Sequence, residues 1–282
     1  MRKGRTLSQE KKMNSILGIV FLVLMIINLF PFFIAVMNSF KTTMEIAKNI
    51  LKLPSKFTLD NYVRAWKILD FPKAFMNTLI VTIIGNGGLI IFATMAGYWL
   101  IRHPTKFNRL FYSLILASMA IPFEALMVPM MSVTKTFGLN GSTWGLGICY
   151  WGLGCAMVVF LTSGAVKAVP IDLEDAARID GCSRFQTFWH VVFPLLKTTV
   201  ITFTILNVFW TWNDYLMPQL MLGRTTENYT IQLAMRSLFL EYYAMWDVAL
   251  AALVLSLLPI VVFFLIGQKS IVSGIITGAV KG

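Results

Sequence analysis

Charge is what this 282-residue chain has least of: only 13% of it is Asp, Glu, Lys or Arg. An ordinary soluble domain carries roughly a quarter. With 57% hydrophobic residues and a mean hydropathy of +0.72, too little charge remains to coat a globule in water. Cysteine is nearly as scarce. Cys149 and Cys155 stand six apart, on different faces of a helix, and Cys182 lies in a connection, so no disulfide framework follows. The two histidines, His103 and His190, have no ligand-like neighbours, which argues against metal chemistry. Disorder is excluded by 22 Phe, 16 Met and 8 Trp. Also missing are a G-x-x-x-x-G-K-[ST] phosphate loop, a G-x-S-x-G elbow and an H-E-x-x-H pair. The chain is therefore expected not to be an enzyme and to hold no cofactor of its own. Any uphill work must draw on an ion gradient or a partner.

What is present are long runs almost free of charge. A helix crossing a bilayer core needs about 20 mostly apolar residues, because no backbone polar group can stay unbonded in hydrocarbon. Six runs qualify: 13–40, 74–101, 110–134 (interrupted by Glu124), one within 136–166, 198–223 (around Asp214) and 248–268. They predict an all-α polytopic membrane protein with six transmembrane helices. The first run is too long for a signal-peptide core and no small-x-small cleavage site follows it, so it reads as a retained helix. Three segments are expected: 1–72 with the first helix and an outer loop, 73–268 as the five-helix core, and a tail over 269–282.

An even number of spans puts both termini on one side. With the termini inside, fourteen Lys and Arg fall in cytoplasmic segments against ten outside, and Arg2, Lys3, Arg5, Lys11 and Lys12 crowd the first helix. Both favour cytoplasmic termini. The net charge of +11 then serves topology and attraction to lipid headgroups. Nucleic acid is not an expected partner, since the basic residues are scattered over short loops without a basic, aromatic-lined domain.

The connection 167–197 is unusually structured. Asp172, after Pro170, is placed to cap a helix starting at Leu173, with Asp175 at the capping-box position. Gly181 can end that helix in the left-handed conformation, predicting a helix over 173–180. Ser183 and Gln186 form a second capping pattern, for a helix carrying Phe185, Phe188, Trp189 and Val192 toward Pro194. The unit is helix, glycine bend, helix. Small Ala176 and Ala177, flanked by Asp175, Arg178 and Asp180, suit docking into a groove of another protein. An interfacial helix that merely re-enters the bilayer fits the same residues equally well.

The run Glu174-Asp175-Ala176-Ala177-Arg178-Ile179-Asp180-Gly181, followed by Phe185, Phe188 and Pro194, resembles the EAA loop of membrane subunits of bacterial ABC importers. More narrowly, the chain resembles the maltose-type carbohydrate-uptake permeases, in particular the smaller six-helix subunit. Supporting residues span nearly the whole length: Asn38-Ser39-Phe40-Lys41, Asn61-Tyr62, Asn77-Thr78, Gly97-Tyr98 with Arg102, Ile121-Pro122, Pro129 and Phe137-Gly138-Leu139. Trp212-Asn213-Asp214-Tyr215 and the closing Gly278-Ala279-Val280-Lys281-Gly282 complete the set. Two positions depart from the pattern: Asp175 replaces the first acid of the triplet, and Cys182 stands where Ala is usual.

The resemblance implies the type I ABC importer permease fold and a cytoplasmic coupling helix. Glu174, Asp175, Ala176, Ala177, Arg178, Asp180 and Gly181 are then expected to engage an ATPase subunit. It further implies a homologous second permease subunit, two ATPase subunits that carry the ATP and magnesium, and an extracellular or periplasmic solute-binding protein, all around membrane lipid.

Polar residues inside spans are costly and tend to face a pathway or a partner helix. Glu124, Asn207, Trp210, Asn213 and Asp214 are the candidates here, since aromatic faces beside amides and acids suit sugar rings. Interfacial anchoring explains the same tryptophans. Gly85, Gly87 and Gly88 suggest close helix packing rather than a pore lining. Two other readings stay open: the same architecture carrying a non-sugar solute such as glycerol phosphate, and an ion-coupled carrier with a proton on Glu124 or Asp214. The sequence shows no internal repeat of the kind such carriers usually have.

Overall fold

A computed structural model describes residues 7–223, 226–239 and 245–279, with side chains over 13–223, 227–239 and 245–268. Arg2, Lys3, Arg5, Arg224 and the terminal Val280-Lys281-Gly282 lie outside the described residues, as do the side chains of Lys11, Lys12 and Lys269. Every regular element among those described is helical. In chain order these are α1 (Leu7–Asn38), α2 (Thr43–Lys48), α3 (Asp60–Ile68), α4 (Phe71–Gly88), α5 (Thr94–Arg102), α6 (Lys106–Ser118), α7 (Phe123–Thr136) and α8 (Thr143–Lys167). There follow α9 (Ile171–Ile179), α10 (Arg184–Thr187), α11 (Phe193–Leu195), α12 (Lys197–Asn213), α13 (Leu216–Leu222), α14 (Ile231–Met235) and α15 (Trp246–Ala279). Single π-helical turns, Leu89–Ala93 and Phe188–Val192, join α4 to α5 and α10 to α11.

Among the described residues, four helices are long and apolar enough to cross a membrane: residues 13–38, 71–102, 143–167 and 246–268. Two bent pairs raise the number to six when each counts as one span. The run 110–134 is not one helix. It is split into α6 and α7, which meet at 112°. Pro122 supplies no amide and disfavours helix at Ile121, so the chain turns there, whereas Pro129 is accommodated inside α7. The run 198–223 is also divided: α12 ends at Asn213, Asp214 is extended, and α13 is separate. Upstream, Arg184–Leu195 meets α12 at 77°.

The chain divides into two compact units. The first comprises the chain up to Ile68 with Ser237–Leu257. Its span 13–38 is apolar on nearly every side, and the most hydrophobic window of that span is not buried against the described residues. A helix apolar all round suits lipid or another chain rather than water. At its foot lies a buried polar knot. The Asn61 amide donates to the carbonyls of Ser39 and Lys41 at 2.9 and 2.7 Å, and the Ser39 and Tyr62 hydroxyls meet at 2.6 Å. Lys41 is almost wholly buried, and its ammonium donates to the carbonyls of Asn49 and Ile50, both at 3.2 Å. Burial pushes its pKa below the ordinary lysine value, against the opposing pull of the Glu45 carboxylate.

The second unit holds Leu69–Arg236 and the chain from Leu258 onward. Its centre is α8 packed along α4 and α5. Small residues make this possible: a Cβ at Gly147 would lie 2.7 Å from the Ile84 Cβ, and one at Gly88 would overlap the Trp151 indole. Trp151 fastens the seam by donating from Nε1 to the Ile84 carbonyl at 2.7 Å. Gly85 also faces α8, but nothing lies within 4 Å of a Cβ at Gly87. Asn77 donates to the carbonyls of Glu227 and Tyr229, and the Thr78 hydroxyl accepts from the Ile231 amide. One apolar cluster joins Leu89, Tyr98, Val159, Phe188 and Phe203; a second joins Val81, Leu146, Tyr150, Met217 and Leu233.

Overpacking this seam is expected to be costly. Gly147→Val should lower stability by about 1–3 kcal/mol, read as a fall in the thermal midpoint in detergent. Gly87→Ala, in open space, should leave the midpoint unchanged or raise it.

Candidate functional site

The local sequence builds a short helix with defined ends. Pro170, at φ −58° and ψ 133°, turns the chain out of α8 and into α9. The helix starts at Ile171, two residues before the expected Leu173, and Asp172 makes no capping bond. It lies instead in the first turn with Glu174, where negative charge opposes the exposed amides of the helix start. Asp175 is not a capping acid either: it accepts from Arg178 at 3.1 Å, one turn on. The far end follows the sequence closely. Gly181 adopts φ +87°, its amide donates to the Arg178 carbonyl at 3.1 Å, and the Cys182 amide donates to Ala177 at 2.9 Å. That paired closure satisfies carbonyls otherwise left free at a helix end. Ser183 and Gln186 then exchange both capping bonds and open α10.

One face of α9 is bound to the rest of the protein. Glu174 is fully buried; its Oε2 accepts from the Tyr98 hydroxyl and its Oε1 from Arg102 Nε, both at 2.7 Å. Arg102 also donates from its terminal nitrogen to the Val169 carbonyl at 2.8 Å, just before α9. Tyr98 packs its ring on Phe188, with centroids 5.1 Å apart. Charge-assisted bonds of this length are strong, and Arg102 is only 12% exposed, so solvent screens the pair weakly. Ala177 is buried on the same face.

The other face is bare. Asp172, Asp175, Ala176 and Ile179 lie one turn apart along it, all exposed, with Ile179 at 86%. Arg178 and Asp180 are exposed as well. The structure thus divides the seven expected coupling residues. Glu174 and Ala177 face this chain's own interior and are unavailable for direct contact with a partner. Asp175, Ala176, Arg178 and Asp180 remain accessible, and Gly181 shapes the bend.

Of the expected pathway residues, Asp214 and Trp210 meet at Tyr150. Asp214 is committed: its Oδ2 accepts from the Tyr150 hydroxyl at 2.7 Å, and its Oδ1 accepts from the Leu216 and Met217 amides at 2.9 and 3.4 Å. It therefore caps α13 and ties it to α8. Trp210 meets the same Tyr150 edge-on, at 5.3 Å. Asn207 is buried and donates back to the Phe203 carbonyl, while Asn213 is exposed and donates to Phe209. Glu124 is exposed in the first turn of α7 and forms no ion pair among the described residues.

The family described as "Binding-protein-dependent transport system inner membrane component" matches residues 89–277. This chain belongs to that family. Among similar proteins, the probable starch degradation products transport system permease protein AmyC of Thermoanaerobacterium thermosulfurigenes is 38% identical over 98% of this chain and 99% of its own length. The melibiose/raffinose/stachyose import permease protein MelC of Bacillus subtilis is 31% identical, end to end in both. A solved bacterial ABC transporter involved in importing the acidic polysaccharide alginate contains a chain of the same fold. Its TM-score is 0.79 at 23% identity, covering 95% of this chain and 99% of the other. The type I importer fold expected from the sequence is therefore the fold of this permease component.

The matched region begins in the first π turn and includes all of α9. Within it, the Tyr98–Arg102–Glu174 cluster escaped a reading of the loop alone, although Tyr98 and Arg102 contributed to the family resemblance. A signal was available. A phenol and a guanidinium at i and i+4 on the end of an apolar helix share a face and call for an acid. Tyr150 carried no comparable signal.

Removing the acid leaves a cation with one partner fewer inside the permease. Glu174→Gln should cost about 3 kcal/mol, and Tyr98→Phe about 1.5–3 kcal/mol. The double variant should cost less than their sum. Thermal unfolding in detergent reads all three, and an unchanged midpoint in Glu174→Gln would refute the role given to the pair.

Proposed function

We propose that this permease is the membrane subunit of an ATP-driven importer of a sugar or oligosaccharide, forming half of the pathway beside a homologous second permease subunit. Of two ATPase subunits, which carry ATP and magnesium, one docks on the bare face of α9. The observation that carries this reading is the two-sided character of α9. It is closed at its C-terminal end by the Gly181 bend and fastened through Glu174 to the end of α5, leaving Asp172, Asp175, Ala176 and Ile179 uncovered. Such a helix transmits a push as rigid-body motion, which a loose loop would absorb. Small Ala176 permits close approach, and Asp175, Arg178 and Asp180 form a charged rim. The α9 end is then the cytoplasmic end, both termini lie on that side, and a solute-binding protein delivers from the other. The sugar class follows from the names of the relatives, which concern starch degradation products and raffinose-type oligosaccharides. An ion-coupled carrier is disfavoured by Asp214, whose oxygens already serve as a cap and a hydroxyl partner.

The test separates docking from folding. In the assembled transporter, Ala176→Arg should keep the thermal midpoint yet reduce ATP-dependent uptake about thirtyfold, as for the loss of one central contact. Ala177→Arg, at a buried position, should instead destabilise the subunit. Full uptake in Ala176→Arg, or uptake that survives ATP depletion and stops when the ion gradient collapses, would overturn the proposal.

A further inference from the structure

Next to α9 lies a cavity of about 560 Å³ that shares Tyr98 with the Glu174 cluster and Arg178 with the docking rim but is otherwise lined by residues outside both. It is bounded by the end of α5, the start of α6 and the residues either side of the glycine bend. Its walls are largely aromatic, including Trp99, Phe107 and Phe111, and its polar edge carries His103, Arg178 and Arg184. Among the described residues, no Asp or Glu lines it. The Arg184 guanidinium sits 5.9 Å from the centre of the Trp99 ring, and none of its N–H groups has an acceptor among the described residues. Arg178 gives one contact to exposed Asp175. Trp99 stacks on His103 at 3.7 Å.

The walls and the edge call for different parts of one ligand. Phe107, Phe111 and Trp99 are themselves well exposed, so the mouth is apolar and uncovered. It also adjoins the end of the span 71–102 at Arg102, and the end of a span is where hydrocarbon gives way to headgroups. A soluble anion would leave the aromatic walls empty, and a neutral acyl chain would leave the Arg184 guanidinium without an anionic partner. Basic pockets between spans at this depth suit anionic headgroups.

We infer that this cavity is a binding site for an anionic phospholipid, with an acyl chain among Trp99, Phe107 and Phe111 and the phosphate against Arg178 and Arg184. The lipid would join α5 and α6 to the hinge of the coupling unit, so membrane composition would act on the element that receives force. This rests on the reading of the α9 end as the cytoplasmic membrane face.

The experiment uses the assembled transporter in nanodiscs containing phosphatidylglycerol or phosphatidylcholine with a photoreactive diazirine on one acyl chain. After irradiation, labelled peptides are mapped by mass spectrometry. Peptides spanning 95–111 should be labelled by the phosphatidylglycerol probe on the order of tenfold more than by the phosphatidylcholine probe. The double variant Arg178→Gln, Arg184→Gln should lose that preference. Ala96→Phe, which fills the cavity from α5 without touching a charge, should lower labelling by both probes; gel filtration checks that each variant assembles. Equal labelling by the two probes, or a preference surviving the double variant, would overturn the inference. So would labelling seen in the isolated subunit but absent from the complex, which would mean that a protein partner covers the cavity. Labelling needs no ATP, and Ala176→Arg should leave it unchanged whether or not uptake is lost, so each proposal can fail alone.

Discussion

The Glu174 carboxylate is the contact through which α9 is held to the end of α5. A nine-residue helix is too short to hold its shape or position alone in water, so its stability must come from what it packs against. Here one buried acid receives a phenol and a guanidinium from the last two turns of a membrane-crossing helix, and the same guanidinium holds the carbonyl at the approach to α9. Burial makes this arrangement expensive to form and more expensive to break, because either partner alone would leave an uncompensated charge in a poorly solvated place. The result is a surface element whose position is referred to the membrane core.

That anchoring explains why α9 has an inner and an outer chemistry. Glu174 and Ala177 are three apart and face inward, while Asp172, Asp175, Ala176 and Ile179 follow the opposite stripe. The Asp175–Arg178 pair lies on the surface and adds little stability, since exposed pairs contribute about 0–1 kcal/mol. Tyr150 plays a comparable organising part at the end of α12, where it holds the Asp214 cap and supports Trp210.

Much of this was legible from residues alone. Long uncharged runs imply spans, Gly181 and the Ser183-x-x-Gln186 pattern fix the bend after α9, and the EAA-like run points to the loop. Less legible were features set by distant neighbours. Asp172 is a good capping residue by type and points to a start at Leu173, yet Pro170 already redirects the chain and α9 starts at Ile171. The breaks at Ile121-Pro122 and at Asp214 lie inside apolar runs, where hydropathy registers length but not direction. Asn38, Ser39, Lys41, Asn61 and Tyr62 resembled a family pattern without an evident reason. Together they form the polar knot at the foot of α1, and no local rule links positions twenty residues apart.

That knot has a mechanical corollary. The most hydrophobic stretch of α1 is not buried against the described residues, whereas its base is clamped through Asn38, Ser39 and Lys41. The 26 residues from Met13 to Asn38 form a rod. At 1.5 Å per residue it is about 39 Å long, so a swing of roughly 10° at the clamp carries the tip through about 7 Å. The first span is thus a mast stepped at one end, and its bearing belongs to whatever surrounds it.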